Sequence, residues 1–306
     1  MRTASRLPVV LVGAGNTGRA LAVRLSASGL RPAVIVSRRA SSAREAARLA
    51  SVRRTATDLS GLPLEGSLIL LSVPDRSVRD VVGRLAMLPC VDWRRVTVLH
   101  TSGVLTSDVL APLRKRGAAC GSLHPLQTFP RETSRADILR RTHRLTYGIE
   151  GDARALRVLG RLVGRLGGAA LRIPKEGKIP YHLACTIASN YTVVLIGLME
   201  DLLRAARIPA RPDAWKRLVE TSVVQAFAVG AGRALTGPIV RGDAETVVRH
   251  RSILKPSPGM DACYRTLGLE ALALALRTGR LAAADAAAMR RALGGAPSVR
   301  GTGGKQ

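Results

Sequence analysis

The sequence predicts an α/β domain built on a mostly parallel sheet, followed by an all-helical domain. Two observations carry that prediction. Over the first half, short apolar runs alternate with stretches of helical spacing, as strands and crossover helices do. Past Pro174-Lys175-Glu176-Gly177 the strand pattern stops and long apolar helical patterns replace it. A chain of 306 residues, 46% hydrophobic and 23% charged, is long enough for two such domains and too apolar to remain disordered. The expected domains are 1–174 and 175–293, with a Gly-rich, polar and disordered tail at 294–306.

Strands are expected at Val9 to Val12, Ala33 to Ser37, Leu68 to Val73, Val96 to His100 and Ala119 to Leu123, with a weaker one at Leu145 to Ile149 and a last at Ala169 to Ile173. Their Val, Ile and Leu content lacks polar alternation, which fits strands covered on both faces. Between the first two, Thr17 to Ser28 sets Leu21 and Leu25 on one helical face and stops at Gly29, a residue suited to the left-handed position after a helix. A second helix is expected from Ala153 to Leu166. Beyond the boundary, helices are expected at Pro180 to Arg207, Pro212 to Leu235, Ala244 to Leu254, Met260 to Leu276 and Ala282 to Leu293. Pro180 and Pro212 stand at helix starts, where a missing N–H costs little.

The chain carries 48 basic against 21 acidic residues, a formal charge of +27, which raises nucleic acid as a partner. The Arg residues are scattered as singles and pairs, and eight aromatic residues cannot furnish a stacking platform, so no specific nucleic-acid partner is expected. Cys90, Cys120, Cys185 and Cys263 lie far apart, form no zinc spacing and read as reduced, mostly buried thiols of a cytoplasmic protein. No signal peptide is read at the start, and no metal site anywhere. Leu183 to Met199 is uncharged for 17 residues, but its Thr, Ser, Asn and Tyr content suits a core helix better than a membrane span, so no membrane partner is expected.

Gly13-Ala14-Gly15-Asn16-Thr17-Gly18 fits GxGxxG directly after the first strand and at the start of the first helix, the context of a Rossmann-type dinucleotide site. Gly13 permits the turn, Gly15 lets backbone approach a pyrophosphate, and Gly18 lets helix and strand pack closely. The end of the second strand reads Ser37-Arg38-Arg39, where an NAD site has an acid about 20 residues beyond the motif. A hydroxyl and two guanidiniums suit a 2′-phosphate, so the expected cofactor is NADP in its reduced form, NADPH. Ser72, Val73 and Pro74 close a further strand and are expected to touch the cofactor, with Asp75 capping the next helix.

His100 and His124 end strands, and His182 opens the long helix with Thr186 and Asn190 following at i+4 and i+8 on about the same face. All three histidines are expected to converge on the nicotinamide end of the site. The chain resembles a known family in its GAGNTG turn, its HTSG and GSLHPLQTF segments, its YHLACTIASNYTVVL helix and LTGPIVRGDAETVVRH from Leu235 to His250. It is similar to the Rossmann-like proteins carrying domain of unknown function 2520, relatives of pyrroline-5-carboxylate, ketopantoate and 3-hydroxyisobutyrate type reductases. The resemblance implies an NADP-dependent oxidoreductase whose helical domain dimerises. It also implies a catalytic Lys with an Asn one turn on; His182 and Asn190 are the nearest matches, two turns apart. Lys178 is the alternative, although it precedes the proline at which the helix is read to begin.

The expected reaction is hydride transfer between NADPH and a small carbonyl or imine, with a 2-oxo or hydroxy acid first and a cyclic imine second. His182 is expected to donate the proton, positioned by Asn190, with His124 or His100 as a second donor. Ser102 and the Gly103 backbone, with Arg241, are expected to hold a substrate carboxylate, and Asp243 to cap the helix after it. The competing expectation is a catalytically silent NADP-binding sensor or regulator.

Overall fold

The computed structural model describes residues 8–131, 133–209 and 211–294. The tail expected to be disordered lies outside the described residues from 295 onward. The chain falls into two compact units, Met1–Val193 and Val194–Gln306.

The first unit holds one sheet of β1 (Val9–Val12), β2 (Val34–Val36), β3 (Thr55–Ala56), β4 (Leu68–Leu71), β5 (Thr97–His100), β6 (Ala119–Pro125), β7 (Thr146–Gly151) and β8 (Ala169–Arg172), in the order β3-β2-β1-β4-β5-β6-β7-β8. Every neighbouring pair is parallel except β6 with β7. The chain order reverses between β1 and β4, and ligands of such sheets lie beyond the carboxyl ends at that switch point. With the sheet go helices α1 (Asn16–Ala27), α2 (Ala40–Ala50), α3 (Asp75–Ala86), α4 (Ala111–Lys115), α5 (Arg135–Arg141) and α6 (Ala153–Arg165), and the unit continues through Val193 into the start of the helical region.

Alternate residues of the central strands feed two cores. Val9, Leu11, Leu68 and Leu70 pack with α1, α2 and α6, whereas Val10, Val12, Ile69 and Leu71 pack with Val78, Val82 and Leu85 of α3. Burial on both faces is why these runs show no polar alternation. Truncating a fully buried member such as Leu70 to Ala costs about 2–5 kcal/mol. Gly29 takes φ +73° just beyond α1, as its sequence position predicts. Asp152 caps α6 by accepting from Ala155 N at 2.8 Å, and its second oxygen accepts from Cys120 N at 2.7 Å, tying the helix to β6. Four elements were not among those expected, β3, α2, α4 and α5: β3 is two residues long, and the Arg-rich α5 buries a single side chain, Ile138.

The helical region comprises α7 (Lys178–Thr186), a π turn at Ile187–Tyr191, α8 (Thr192–Ala205), α9 (Pro212–Val229), α10 (Ala231–Ala234), α11 (Ala244–Leu254), α12 (Pro258–Arg277) and α13 (Ala283–Ala292). Three boundaries differ from expectation. Gly177 starts α7 at Lys178 rather than Pro180, the π turn interrupts the long helix, and Gly230 at φ +85° breaks the expected Pro212 to Leu235 helix. Asp243 caps α11 as expected, accepting from Thr246 N at 3.0 Å. Val247, Leu272, Met289 and Leu293 form the core of the second unit. The run Lys175–Ala205 is long and apolar enough, by length and composition alone, to cross a membrane.

Candidate functional site

The glycine turn has the geometry a dinucleotide needs. Gly13 takes φ +109°, and a side chain there would collide with the backbone of Ser72. One on Gly18 would collide with the Gly13 carbonyl, so helix and turn touch because both residues are glycine. At Gly15 there is nothing within 4 Å of where a Cβ would stand. That open space at the amino end of α1 is where backbone N–H groups and the helix dipole favour an anion.

A cleft of about 240 Å³ runs from this turn, lined by Gly13, Ala14 and Gly15, by Ser37, Arg38 and Arg39, and by Ser72, Val73 and Pro74. Nine of the twelve expected cofactor residues therefore meet in one cleft; Asn16, Thr17 and Gly18 do not line it. Asn16 instead accepts from Arg19, at 3.1 Å, and Arg19 also pairs with Glu45. Arg38 and Arg39 are exposed and make no ion pair among the described residues. Arg84, Asp58 and Asp80 also line the cleft. Asp58 is held below the usual carboxylate range, chiefly by the Ser60 hydroxyl and backbone N–H, so part of its acceptor capacity is already used. Asp75 does not cap α3: Pro74 holds the cap position, makes no side-chain hydrogen bond, and Asp75 is the first helical residue.

Beyond the carboxyl ends of β5 and β6 lies a second cluster, and its centre is Lys178. The early start of α7 turns this lysine inward, where it is 1% exposed, and Nζ donates to Ser102 O and Ser122 Oγ at 3.1 Å each. Burial pulls its pKa down, while the Glu150 and Asp75 carboxylates oppose that shift. Sequence reading placed Lys178 outside the helix; the signal available was Gly177, a helix-starting residue three before Pro180.

The three histidines do not share one role. His100 is fully buried; its Nδ1 accepts from Ser102 N and its Nε2 meets Thr106 O, both at 3.2 Å. Both ring nitrogens are engaged inside the protein, so His100 does not present a donor to a ligand. Burial, then Lys178, pushes its pKa down to about 3. His124 is the more open ring. Tyr181 Oη lies 2.8 Å from its Nδ1, and burial followed by Lys178 and His182 lowers its pKa to about 4. Tyr181, for which the sequence suggests no role, is a phenol pushed above its ordinary range by burial, then by Cys185, so it keeps its proton; if that proton is directed at Nδ1, the neutral His124 carries its own on Nε2.

Nε2 of His124 faces Gly103, as does the ring of His182. A Cβ on Gly103 would stand 2.9 Å from His124 Nε2 and 2.5 Å from His182 Cδ2, and the two rings are 6.1 Å apart, edge to face. Gly148, directly opposite His124 across β6 and β7, leaves room for Tyr181, since a Cβ there would meet its Oη at 2.6 Å. Ser102 holds its own turn: its Oγ accepts from Val104 N and Leu105 N at 3.3 and 3.0 Å, and its carbonyl is taken by Lys178.

Asn190 is exposed and makes no hydrogen bond to His182 among the described residues. The π turn adds a residue to the helical repeat, so the face through His182 and Thr186 no longer continues at the i+8 position. Arg241 is exposed in a turn of the second unit, its N–H donating to Gly237 O at 3.3 Å. No disulfide links the four cysteines, and Cys120 alone is fully buried, its thiol pushed up to about 12 by burial; Cys90 is exposed, against expectation. Among the described residues no group of three or more His, Cys, Asp or Glu could hold a metal.

Residues 1–125 match a Rossmann-like domain, and residues 145–271 match the domain of unknown function 2520. The chain joins these two domains. The structure is similar to a Bacteroides fragilis protein designated an NADP oxidoreductase, at 23% identity and TM-score 0.74, over 87% of this chain and 98% of that one. It is similar to a Thermotoga maritima protein at 24% identity and TM-score 0.67, over 89% and 99%. It is also similar to a pyrroline-5-carboxylate reductase from Coxiella burnetii at 16% identity and TM-score 0.52, over 95% and 97%. At these identities the likeness is one of fold alone. No curated protein matches the sequence.

Proposed function

We propose that this member of the domain of unknown function 2520 group is an NADPH-dependent reductase of a small carbonyl or imine compound, with 2-oxo acids first among the candidates. The observation that carries the reading is the meeting of His124 and His182 over Gly103, with the buried Lys178 behind them, on the sheet edge that also holds the glycine turn. When bound, NADPH supplies the hydride that reduces the carbon. Gly13 and Gly15 give the backbone approach to its pyrophosphate, and Arg38 and Arg39, unpaired among the described residues, favour a 2′-phosphate over a hydroxyl.

His182 gives the proton to the substrate oxygen or nitrogen as negative charge develops there. His124 donates a hydrogen bond from Nε2 without titrating, and Lys178 adds a fixed positive charge that strengthens through burial. The direct test follows NADPH absorbance against 2-oxo acids, aldehydes and cyclic imines, with NADH in parallel. Reduction of one class, lost in His182→Ala, supports the reading. NADPH binding with no reduction of any compound would favour a sensor instead, and tighter NADH binding would overturn the NADP assignment.

The active form in this reading is a homodimer in the cytoplasm. Ile179, Leu183, Ile187 and Tyr191 repeat every fourth residue, each at least 53% exposed, and Phe227 on α9 is 87% exposed. Such apolar exposure is what a second copy of the chain would cover. Sedimentation equilibrium should give twice the chain mass, and Leu183→Glu should shift it toward the monomer; a monomeric parent protein would rule the dimer out.

A further inference from the structure

Glu150 has no place in the reaction just described, yet it is the single buried acid among the described residues, 3% exposed, as Lys178 is the single buried lysine. Both are neighbours of Ser122. Ser122 of β6 stands directly opposite Glu150 of β7 in an antiparallel pair, so their side chains project to the same face. On that face Ser122 Oγ accepts from Lys178 Nζ. The Glu150 carboxylate is fixed on its other side by Ser107, whose N–H and hydroxyl donate to the two oxygens at 2.7 Å each. Arg114 steadies Ser107 in turn, donating to its Oγ and its carbonyl at 3.0 and 2.9 Å. A buried charge without an opposite one nearby is costly.

We propose that Glu150 is a positioning residue, the buried counter-charge that keeps Lys178 an ammonium with its protons directed at Ser102 and Ser122. The consequence for catalysis rests on the reductase reading; the charge relationship itself does not. The other groups acting on Lys178 are Asp75 and Cys185, while Lys178 in turn acts on His100 and His124. Asp75 stands exposed on α3 and Cys185 lies further along α7, so Glu150 is the one buried carboxylate acting on Lys178. Loss of its charge would leave an unpaired ammonium in a dry site, and that ammonium would shed its proton. His124 would then lose the neighbouring charge that helps hold it neutral.

The test titrates the lysine Cε carbons by NMR in protein labelled at lysine. The chain has six lysines, and the Lys178 signal is the one missing from Lys178→Met. In the parent protein Lys178 should remain protonated at pH 7; a neutral Lys178 there overturns the proposal without any Glu150 variant. In Glu150→Gln its midpoint should fall by one pH unit or more, about a tenfold change in proton affinity, and Glu150→Asp should restore most of it. An unchanged midpoint in a folded Glu150→Gln, checked by circular dichroism, also overturns it. Failure of the reductase reading would show separately, as an absence of NADPH binding or turnover with the Lys178 titration intact. Where turnover is found, its alkaline limb should move to lower pH in Glu150→Gln with KM for NADPH unchanged; a purely structural role would lower kcat without moving that limb.

Discussion

Tyr181 Oη stands 2.8 Å from His124 Nδ1, so the direction of this one hydrogen bond is tied to which nitrogen of His124 carries its proton. Tyr181→Phe removes the donor and frees the ring to take the other tautomer. Turnover should fall about tenfold, ~1.4 kcal/mol of transition-state stabilisation, while the dissociation constant for NADPH stays within twofold. Imidazole nitrogen shifts should show Nε2 protonated in the parent protein and a mixture in the variant; the same single tautomer in both would refute the tyrosine's role.

Gly103 has room for no side chain between the rings of His124 and His182. Its backbone is outside the left-handed region, so Gly103→Ala is strained by the rings alone. The variant should fold, lose a few degrees of Tm at most and lose turnover by about a hundredfold, since a misplacement near 1 Å can cost that much. Full activity in Gly103→Ala would show that the rings can part freely.

Arg38 and Arg39 border the cleft beside the glycine turn as exposed guanidiniums. A hydrogen bond to a charged group is worth about 1.5–3 kcal/mol. The double variant Arg38→Ala, Arg39→Ala should therefore weaken NADPH binding by about 10- to 100-fold and leave NADH within about twofold, read by fluorescence titration. Equal losses for both cofactors would assign the pair to general attraction rather than to the 2′-phosphate.

His100 and His124 make stability depend on pH. Burial, with Lys178 adding to it, holds them to about 3 and about 4, whereas an unfolded imidazole titrates near ~6.5. As pH falls below that value the unfolded chain binds protons that the folded chain refuses. Their contribution is thus complete above it and is lost progressively as pH falls toward 4. Tm should drop steadily through this window. His100→Asn, which keeps an acceptor for Ser102 N–H, should show a shallower drop; parallel curves would mean that His100 is not a source of the acid sensitivity.

The cleft beside the glycine turn was legible in the sequence because its signals are local. Gly13, Gly15 and Gly18 act through backbone geometry within six residues, and Ser37-Arg38-Arg39 sit at a fixed distance down the chain. Lys178 and Glu150 were not legible in this way. Their partnership depends on the register of β6 against β7, which the sequence marks only by a weak strand, and on a helix start that Pro180 seemed to set. Asn190 was misplaced for a related reason: counting in steps of four assumes an unbroken α-helix, and the π turn at Ile187–Tyr191 breaks it. His100 and His124 look alike on paper, each at the end of a strand. What separates them is the loop after β5, which supplies both partners of His100 from Ser102 and Thr106.

The reversed direction of β7 has a consequence for how such a protein can diversify. Parallel strands reach the ligand edge with their exits, so each of them contributes the loop that follows it. A strand running the other way arrives there with its entrance, which is why Gly148 and Tyr147 stand against His124 and Pro125. The segment that leads into β7 is thereby delivered to the same edge. Changes of length or sequence between Pro125 and Thr146 would reshape what the histidines face, and they would also be felt at α1, whose Arg19 donates to the Arg131 carbonyl.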